Sequence, residues 1–162
     1  DVLKIVRPWA DALWEVGIAF GTVGAQKDAR VGDVEQSFQV EITTYRSEAY
    51  DPTSRKPAVD FGDTLTGDLG RRDFTVNAMA VVVPDRTFED PFGGIVDLGH
   101  RVLRTPGKPE DSFSDDPLRM LRAARFAAQL AFTVDPAVVA AMTAMADRIS
   151  IISAERSPRS SR

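Results

Sequence analysis

Hydrophobic positions change their period several times along the chain, and each change marks a predicted element. Val2, Ile5, Val6, Trp9, Leu13 and Val16 recur at helical spacing, with Asp1 placed as a cap and Gly17 as a stop, so the spacing predicts one amphipathic helix over 2–16. Ile18 to Ala25 and Ser37 to Tyr45 are rich in β-branched and aromatic residues and predict two strands, joined across the charged segment Gln26 to Gln36 by a long hairpin loop. In the second strand Phe38, Val40 and Ile42 alternate with Gln39, Glu41 and Thr43, which sets Glu41 on the face opposite an apolar, core-seeking one. Arg46 to Asp63 has no clear period and contains Asp51-Pro52, Lys56-Pro57 and Phe61-Gly62, so it reads as a long functional loop.

Asp68 to Ala80 predicts a helix with Asp73 and Asn77 one turn apart, running into a strand at Met79 to Val83 that Pro84-Asp85 closes. Short strands at Thr87 to Asp90 and Val102 to Arg104 flank the turn-rich Asp90-Pro91-Phe92-Gly93-Gly94, and Thr105 to Ser114 reads as a linker. Beyond it the pattern is helical: Asp116 to Ala131, Pro136 to Ile149, and a new start at Ser153. The chain therefore changes from mixed α/β to all-α near residues 105–115, and Ser157 to Arg162 is expected to be disordered.

Composition narrows the chemistry. With 162 residues and 43% hydrophobic content the chain can bury one core, or one domain and the start of another. It has no cysteine and one histidine, His100, so a metal here would be held by oxygen ligands. No apolar run approaches the ~20 residues of a membrane span, and a cytoplasmic location is the expectation. Charge is uneven: residues 1–99 carry 10 Lys and Arg against 17 Asp and Glu, whereas residues 100–162 carry 10 against 7. An acidic first part and a basic second part would suit a protein that attracts phosphates through its helical half, although small domains often differ this much.

Between Pro117 and Ala131 the only polar side chains are Arg119, Arg122, Arg125 and Gln129, within an arc of about 120°. The pattern predicts a helix buried nearly all round, whose arginine stripe finds anions or acceptors on other elements. At its head, Asp116 and Arg119 sit three residues apart on one face. A carboxylate acceptor beside a guanidinium donor can match the amino-donor and ring-nitrogen-acceptor edge of cytosine or adenine, but on chemistry alone N-capping by Asp116 with a local ion pair is the simpler account of the same residues. Arg71, Arg72, Asp73 and Asn77 could likewise hold a triphosphate and a ribose, or form a surface ion-pair cluster.

The run Arg71-Arg72-Asp73-Phe74-Thr75-Val76-Asn77-Ala78 resembles a signature of the class II CCA-adding enzyme and bacterial poly(A) polymerase family. Asp90 to Gly94 with Asp97-Leu98, Asp115 to Phe126, and Ile152-Ser153-Ala154-Glu155-Arg156 are similar to further family segments in the same order, as are Gly21-Thr22-Val23-Gly24 and Val40 to Arg46. The resemblance implies an α/β nucleotidyltransferase head with a mixed sheet, incomplete at its N-terminus, at residues 1–104. It implies the start of a helical neck or RNA-binding domain at 105–156, and leaves 157–162 as a tail. It further implies Mg²⁺-dependent transfer of CMP and AMP from CTP and ATP to the 3′ end of tRNA. Poly(A) addition from ATP is the alternative within the family, and a noncatalytic nucleotide- or RNA-binding fragment the alternative outside it.

In that family Arg72 would bind the triphosphate and Asp73 and Asn77 would sit near the ribose. Asp116 and Arg119 would form the protein template for C and A, Arg122 and Arg125 would contact the nucleotide or order the template, and Glu41 would stand at the metals as a catalytic carboxylate. The family's Gly-Gly turn and Asp-x-Asp pair precede these segments and have no counterpart in the sequence, nor has the family's C-terminal body. The expectation is a truncated chain inactive by itself. Asp115 stands where the family usually has Glu.

Overall fold

The structure is a computed structural model that describes residues 2–14, 21–49, 58–61 and 64–149. The N-terminal helical pattern is cut at Pro8: helix α1 covers only Val2–Val6, and strand β1 follows at Ala12–Trp14. Pro8 cannot donate to the carbonyl one turn back and biases Arg7 away from helical geometry, so the expected single helix over 2–16 does not form. Gly17 lies outside the described residues.

Strands β2 (Thr22–Val31) and β3 (Val34–Thr43) make an antiparallel ribbon paired from Thr22 opposite Thr43 out to Val31 opposite Val34. The turn sits at Gly32, whose φ of 64° suits a residue without Cβ. Gln26 to Gln36 is therefore strand and tight turn rather than the expected long loop. Its charges are tolerated because the far end of the ribbon is largely exposed. β1 adds to β2 with Trp14 opposite Gly24. A Cβ on Gly24 would stand 1.9 Å from the Trp14 indole Nε1, so glycine is what lets the ring cross the strand. Val23 and Ala25 of β2 are buried, while Phe38 and Val40 are 42% and 40% exposed, so the apolar face is covered only at the base of the ribbon. The core face expected for β3 is corrected accordingly.

Within the expected loop Arg46 to Asp63, β4 (Arg46–Ala49) pairs antiparallel with β5 (Ala58–Phe61); residues 50–57 lie outside the described set. Helix α2 (Leu65–Gly70) starts at Thr64, whose hydroxyl accepts from the Gly67 N–H, and stops before Arg71. The helix expected over 68–80 is thus replaced by α2, a turn at 71–73 and one 3₁₀ turn at Thr75–Asn77. The break comes where Phe74, fully buried and extended, dives into the core. Strands β6 (Ala80–Val82) and β7 (Thr87–Glu89) form a hairpin. Helix α3 (Gly94–His100) is capped by both Asp90 oxygens, which accept from Gly94 and Ile95 N–H at 2.6 and 2.9 Å.

Strand β8 (Val102–Leu103) leads to helix α4 (Pro109–Asp115), where a linker was expected. Pro109 opens it with a φ already suited to a first helical turn, and Phe113 is fully buried. Then come α5 (Leu118–Leu130), β9 (Thr133–Val134), which pairs parallel with β8, and α6 (Pro136–Ala144), followed by a 3₁₀ turn at Ala146–Arg148. Helix α5 buries Arg119, Met120 and Ala123 but exposes Leu118, Leu121 and Leu130, so it is one-sided rather than buried all round. One core cluster joins Phe113, Met120, Val138 and Ala141, and the other joins Phe74, Leu103 and Ala123. Val134 and Met142 pack against both and make the core continuous. No helix among the described residues is long and apolar enough to cross a membrane. The segments 152–156 and 157–162 lie outside the described residues.

Candidate functional site

Three chain segments converge on one open cleft of about 830 Å³. The ribbon contributes Thr22, Glu41 and Thr43, and the turn after α2 contributes Arg71, Arg72, Asp73 and Asn77. The head of α5 contributes Asp116, Arg119 and Arg122, with Phe126 behind them. Glu41 faces this cleft because it shares a sheet face with its cross-strand partner Gly24, away from the Val23 and Ala25 side. Beside it the Thr22 and Thr43 hydroxyls lie 2.8 Å apart.

The turn after α2 is held by hydrogen bonds that no local pattern announces. Asp73 is 8% exposed. Its Oδ1 accepts from the Phe74 N–H at 2.9 Å and from Asn77 Nδ2 at 3.1 Å, and its Oδ2 accepts from Arg122 Nε at 2.7 Å and Nη2 at 2.6 Å. Arg119 donates Nη1 to Ser112 Oγ at 3.0 Å and Nη2 to the Arg71 carbonyl at 2.6 Å. The arginine stripe therefore takes its acceptors from elsewhere in the fold, and two of them belong to the turn at 71–73. Asp116 Oδ1 accepts from the Leu118 N–H at 2.9 Å, which is the capping contact open to it from the sequence. Arg125 is not brought to the cleft wall; its guanidinium lies over the Phe126 ring, 5.0 Å from the centroid, and Phe126 in turn meets Phe74 edge to face at 5.9 Å.

Behind this surface a second network locks the 3₁₀ turn. Thr75 Oγ1 donates to Asp97 Oδ2 at 2.6 Å, Arg104 Nε donates to the same oxygen at 3.1 Å, and Arg104 Nη2 contacts Asp97 Oδ1. Burial pushes the Asp97 carboxyl up, but the bonds from Arg104 and Thr75 outweigh it and leave the pKa below the usual carboxylate value. Asp115 shows the reverse: desolvation raises its pKa, with the charge of Arg119 offsetting part of the effect. Glycine is required at position 94, since a Cβ there would stand 2.1 Å from the Thr75 carbonyl oxygen.

A divalent metal does not fit the described residues by themselves. Among them no group of three or more acidic or histidine side chains comes together. Asp73 has both oxygens engaged by Arg122, Asn77 and Phe74, and Asp116 stands at the head of α5 with Oδ1 accepting from Leu118, so on the ribbon side of the cleft Glu41 is the carboxylate contributed by the described residues.

Residues 1–104 match the family described as Poly A polymerase head domain. The chain belongs to that family. A CCA-adding enzyme of Levilactobacillus brevis is 48% identical over 117 residues, 72% of this chain and 29% of the relative. Among solved structures, the chain superposes on the Bacillus stearothermophilus CCA-adding enzyme in complex with CTP with a TM-score of 0.67 at 33% identity, covering 88% of this chain and 32% of that one. It also superposes on a tRNA nucleotidyltransferase complexed with a primer tRNA and an incoming ATP analog, with a TM-score of 0.64 at 29% identity, covering 98% of this chain and 40% of the other. The chain thus spans about a third of the length of the relatives it matches. Its architecture is an α/β nucleotidyltransferase head continuing into helices.

Motif reading missed Asp68, Ser112 and the Thr75, Asp97 and Arg104 lock. For Asp68 a signal was present, since an acid three and four residues before Arg71 and Arg72 is the helical spacing of an ion pair. Ser112 and Asp97 meet partners that sequence spacing does not reveal.

Proposed function

We propose that the full-length protein carrying this chain is a template-independent RNA nucleotidyltransferase that adds CMP and AMP, from CTP and ATP, to tRNA 3′ ends. The observation that carries the reading is the joining of α5 to the turn at 71–73. Through Arg119 to the Arg71 carbonyl and Arg122 to Asp73, the head of α5 is fixed to the turn, so that Asp116 and Arg119 line one cleft with Arg71, Arg72, Asp73 and Asn77, residue types suited to a base edge, a triphosphate and a ribose. In this reading Arg72 meets the triphosphate, Asp73 and Asn77 lie at the ribose, and Asp116 and Arg119 select the base. Arg122 orders Asp73, and Arg125 acts through Phe126 rather than on the nucleotide. Residues 1–104 form the head and 105–156 begin the neck. Mg²⁺ is the metal this chemistry would use, with Glu41 as one carboxylate; the described residues do not bring a further set of ligands to it.

The test is incubation of the full-length protein with tRNA lacking CCA and each nucleotide in turn. Incorporation of CTP followed by ATP supports the reading. ATP-only tails would replace it with poly(A) addition, the activity after which the family is described. No incorporation at all, with nucleotide still bound, would leave a noncatalytic nucleotide-binding protein.

A further inference from the structure

One carboxylate stands behind the cleft without lining it. Asp68, on α2, is 3% exposed. Its Oδ1 accepts from Arg71 Nε at 3.2 Å and Nη2 at 2.7 Å, and its Oδ2 accepts from Arg72 Nη2 at 3.4 Å. Positions three and four residues after an acid flank it at about 60° and 40° to either side on a helical path, so both arginines are within its reach. Helix α2 stops at Gly70, and the two adjacent guanidinium groups meet the same carboxylate from the turn that follows.

The division between them is unequal. Arg71 is held by two donors, keeps 22% of its side chain exposed, and gives its own carbonyl to Arg119. Arg72 has one long contact to Asp68 and keeps 43% exposed on the cleft wall. Arg71 is thereby a brace and Arg72 an aimed, accessible cation.

We propose that Asp68 is a positioning residue for phosphate binding: it fixes Arg71 as a brace and directs Arg72 into the cleft, without touching the nucleotide itself. This rests on the reading in which Arg72 meets the triphosphate. Two effects of Asp68 oppose each other, which makes the assignment decidable. Its negative charge cancels part of the field that attracts an anion, so neutralising it would tighten binding if charge alone mattered. Its hydrogen bonds pre-order two long side chains, so losing them would loosen binding if aim mattered. Aim is expected to win, because a phosphate oxygen must be met within hydrogen-bond distance whereas the field in an open cleft is screened.

The experiment is equilibrium dialysis of radiolabelled CTP and of inorganic tripolyphosphate against the full-length protein carrying this chain, with melting by circular dichroism as a folding control. The unsubstituted protein is compared with Asp68→Asn, Asp68→Glu, Arg72→Ala and the Asp68→Asn, Arg72→Ala pair. Asp68→Asn is expected to weaken both ligands alike, roughly fivefold to twentyfold. Asp68→Glu, with its charge kept and displaced by one methylene, is expected to weaken them as well. The paired variant should bind no more weakly than Arg72→Ala. Binding that is equal or tighter in a folded Asp68→Asn, or losses that simply add in the pair, overturns the proposal; should Asp68→Asn fail to fold, unchanged binding in Asp68→Glu does so alone. If Arg72→Ala binds like the unsubstituted protein, or that protein binds neither ligand, the reading of the cleft fails instead.

Discussion

The contact between Asp73 and Arg122 is expected to hold α5 against the turn at 71–73, and its contribution can be estimated from the geometry. Two charge-assisted donors of Arg122 meet one carboxylate oxygen at 2.6 and 2.7 Å, and Asp73 is 8% exposed. Hydrogen bonds to charged groups contribute about 1.5–3 kcal/mol, but the Arg122 side chain is 42% exposed, which moves the pair toward the ~0.2–1 kcal/mol of solvated ion pairs. A coupling of about 1.5 kcal/mol follows. Arg122→Ala also removes the guanidinium over Phe126, 5.1 Å from the centroid, adding about 0.5 kcal/mol. The single variant should therefore lose about 2 kcal/mol, and Arg122→Lys, which keeps the charge without the planar fork, somewhat less. The assay is urea unfolding of the unsubstituted chain, Arg122→Ala, Asp73→Asn and their combination as a double-mutant cycle. A coupling below about 0.3 kcal/mol would mean that the two segments are docked by packing alone and would refute the reasoning.

Asp97→Asn is expected to cost about 1–2 kcal/mol, since buried Thr75 keeps a weaker partner and Arg104 can turn to solvent. Because the folded pKa of Asp97 is lowered, its contribution is present above the unfolded value near ~4 and is lost as pH falls through the folded one. The stability gap between parent and variant should therefore shrink in acid, as urea titrations at several pH values would show. Gly94→Ala should cost about 3 kcal/mol because the new Cβ meets the Thr75 carbonyl, whereas Gly99→Ala, with nothing within 4 Å, should stay within about 0.5 kcal/mol. Equal melting temperatures for the two variants would contradict the close approach at position 94.

How legible each element was depended on whether its cause is local. Helix α5 declared itself because apolar positions persist at helical period over thirteen residues and Asp116 stands at its start. The ribbon was visible as two strands but not in length, because an exposed two-stranded segment needs no apolar alternation and its single turn glycine sat among charges. Pro8 and Pro109 carried opposite meanings, one ending a helix and the other opening one, and only the burial of Phe113 separates α4 from a linker. The helix expected over 68–80 failed because Phe74 must reach the core, a tertiary demand that propensity does not record. In the cleft, the residue types were readable from the motifs, whereas the contacts that bring them together, Asp73 to Arg122 and Arg119 to the Arg71 carbonyl, span almost fifty positions and leave no periodic trace.

In the proposed function Asp116 and Arg119 at the head of α5 read the base, and Arg72 on the same cleft wall meets the phosphates. This division of roles is tested most directly by the ratio of kcat/KM for CTP to that for UTP in a full-length protein carrying this sequence, before and after Arg119→Ala and Asp116→Ala, with Arg72→Ala alongside. One good base-edge pair discriminates by about 1–3 kcal/mol, so the first two variants should lose roughly fivefold to a hundredfold of the CTP preference, while Arg72→Ala should weaken every nucleotide alike. An unchanged CTP-to-UTP ratio in both α5 variants would contradict the account.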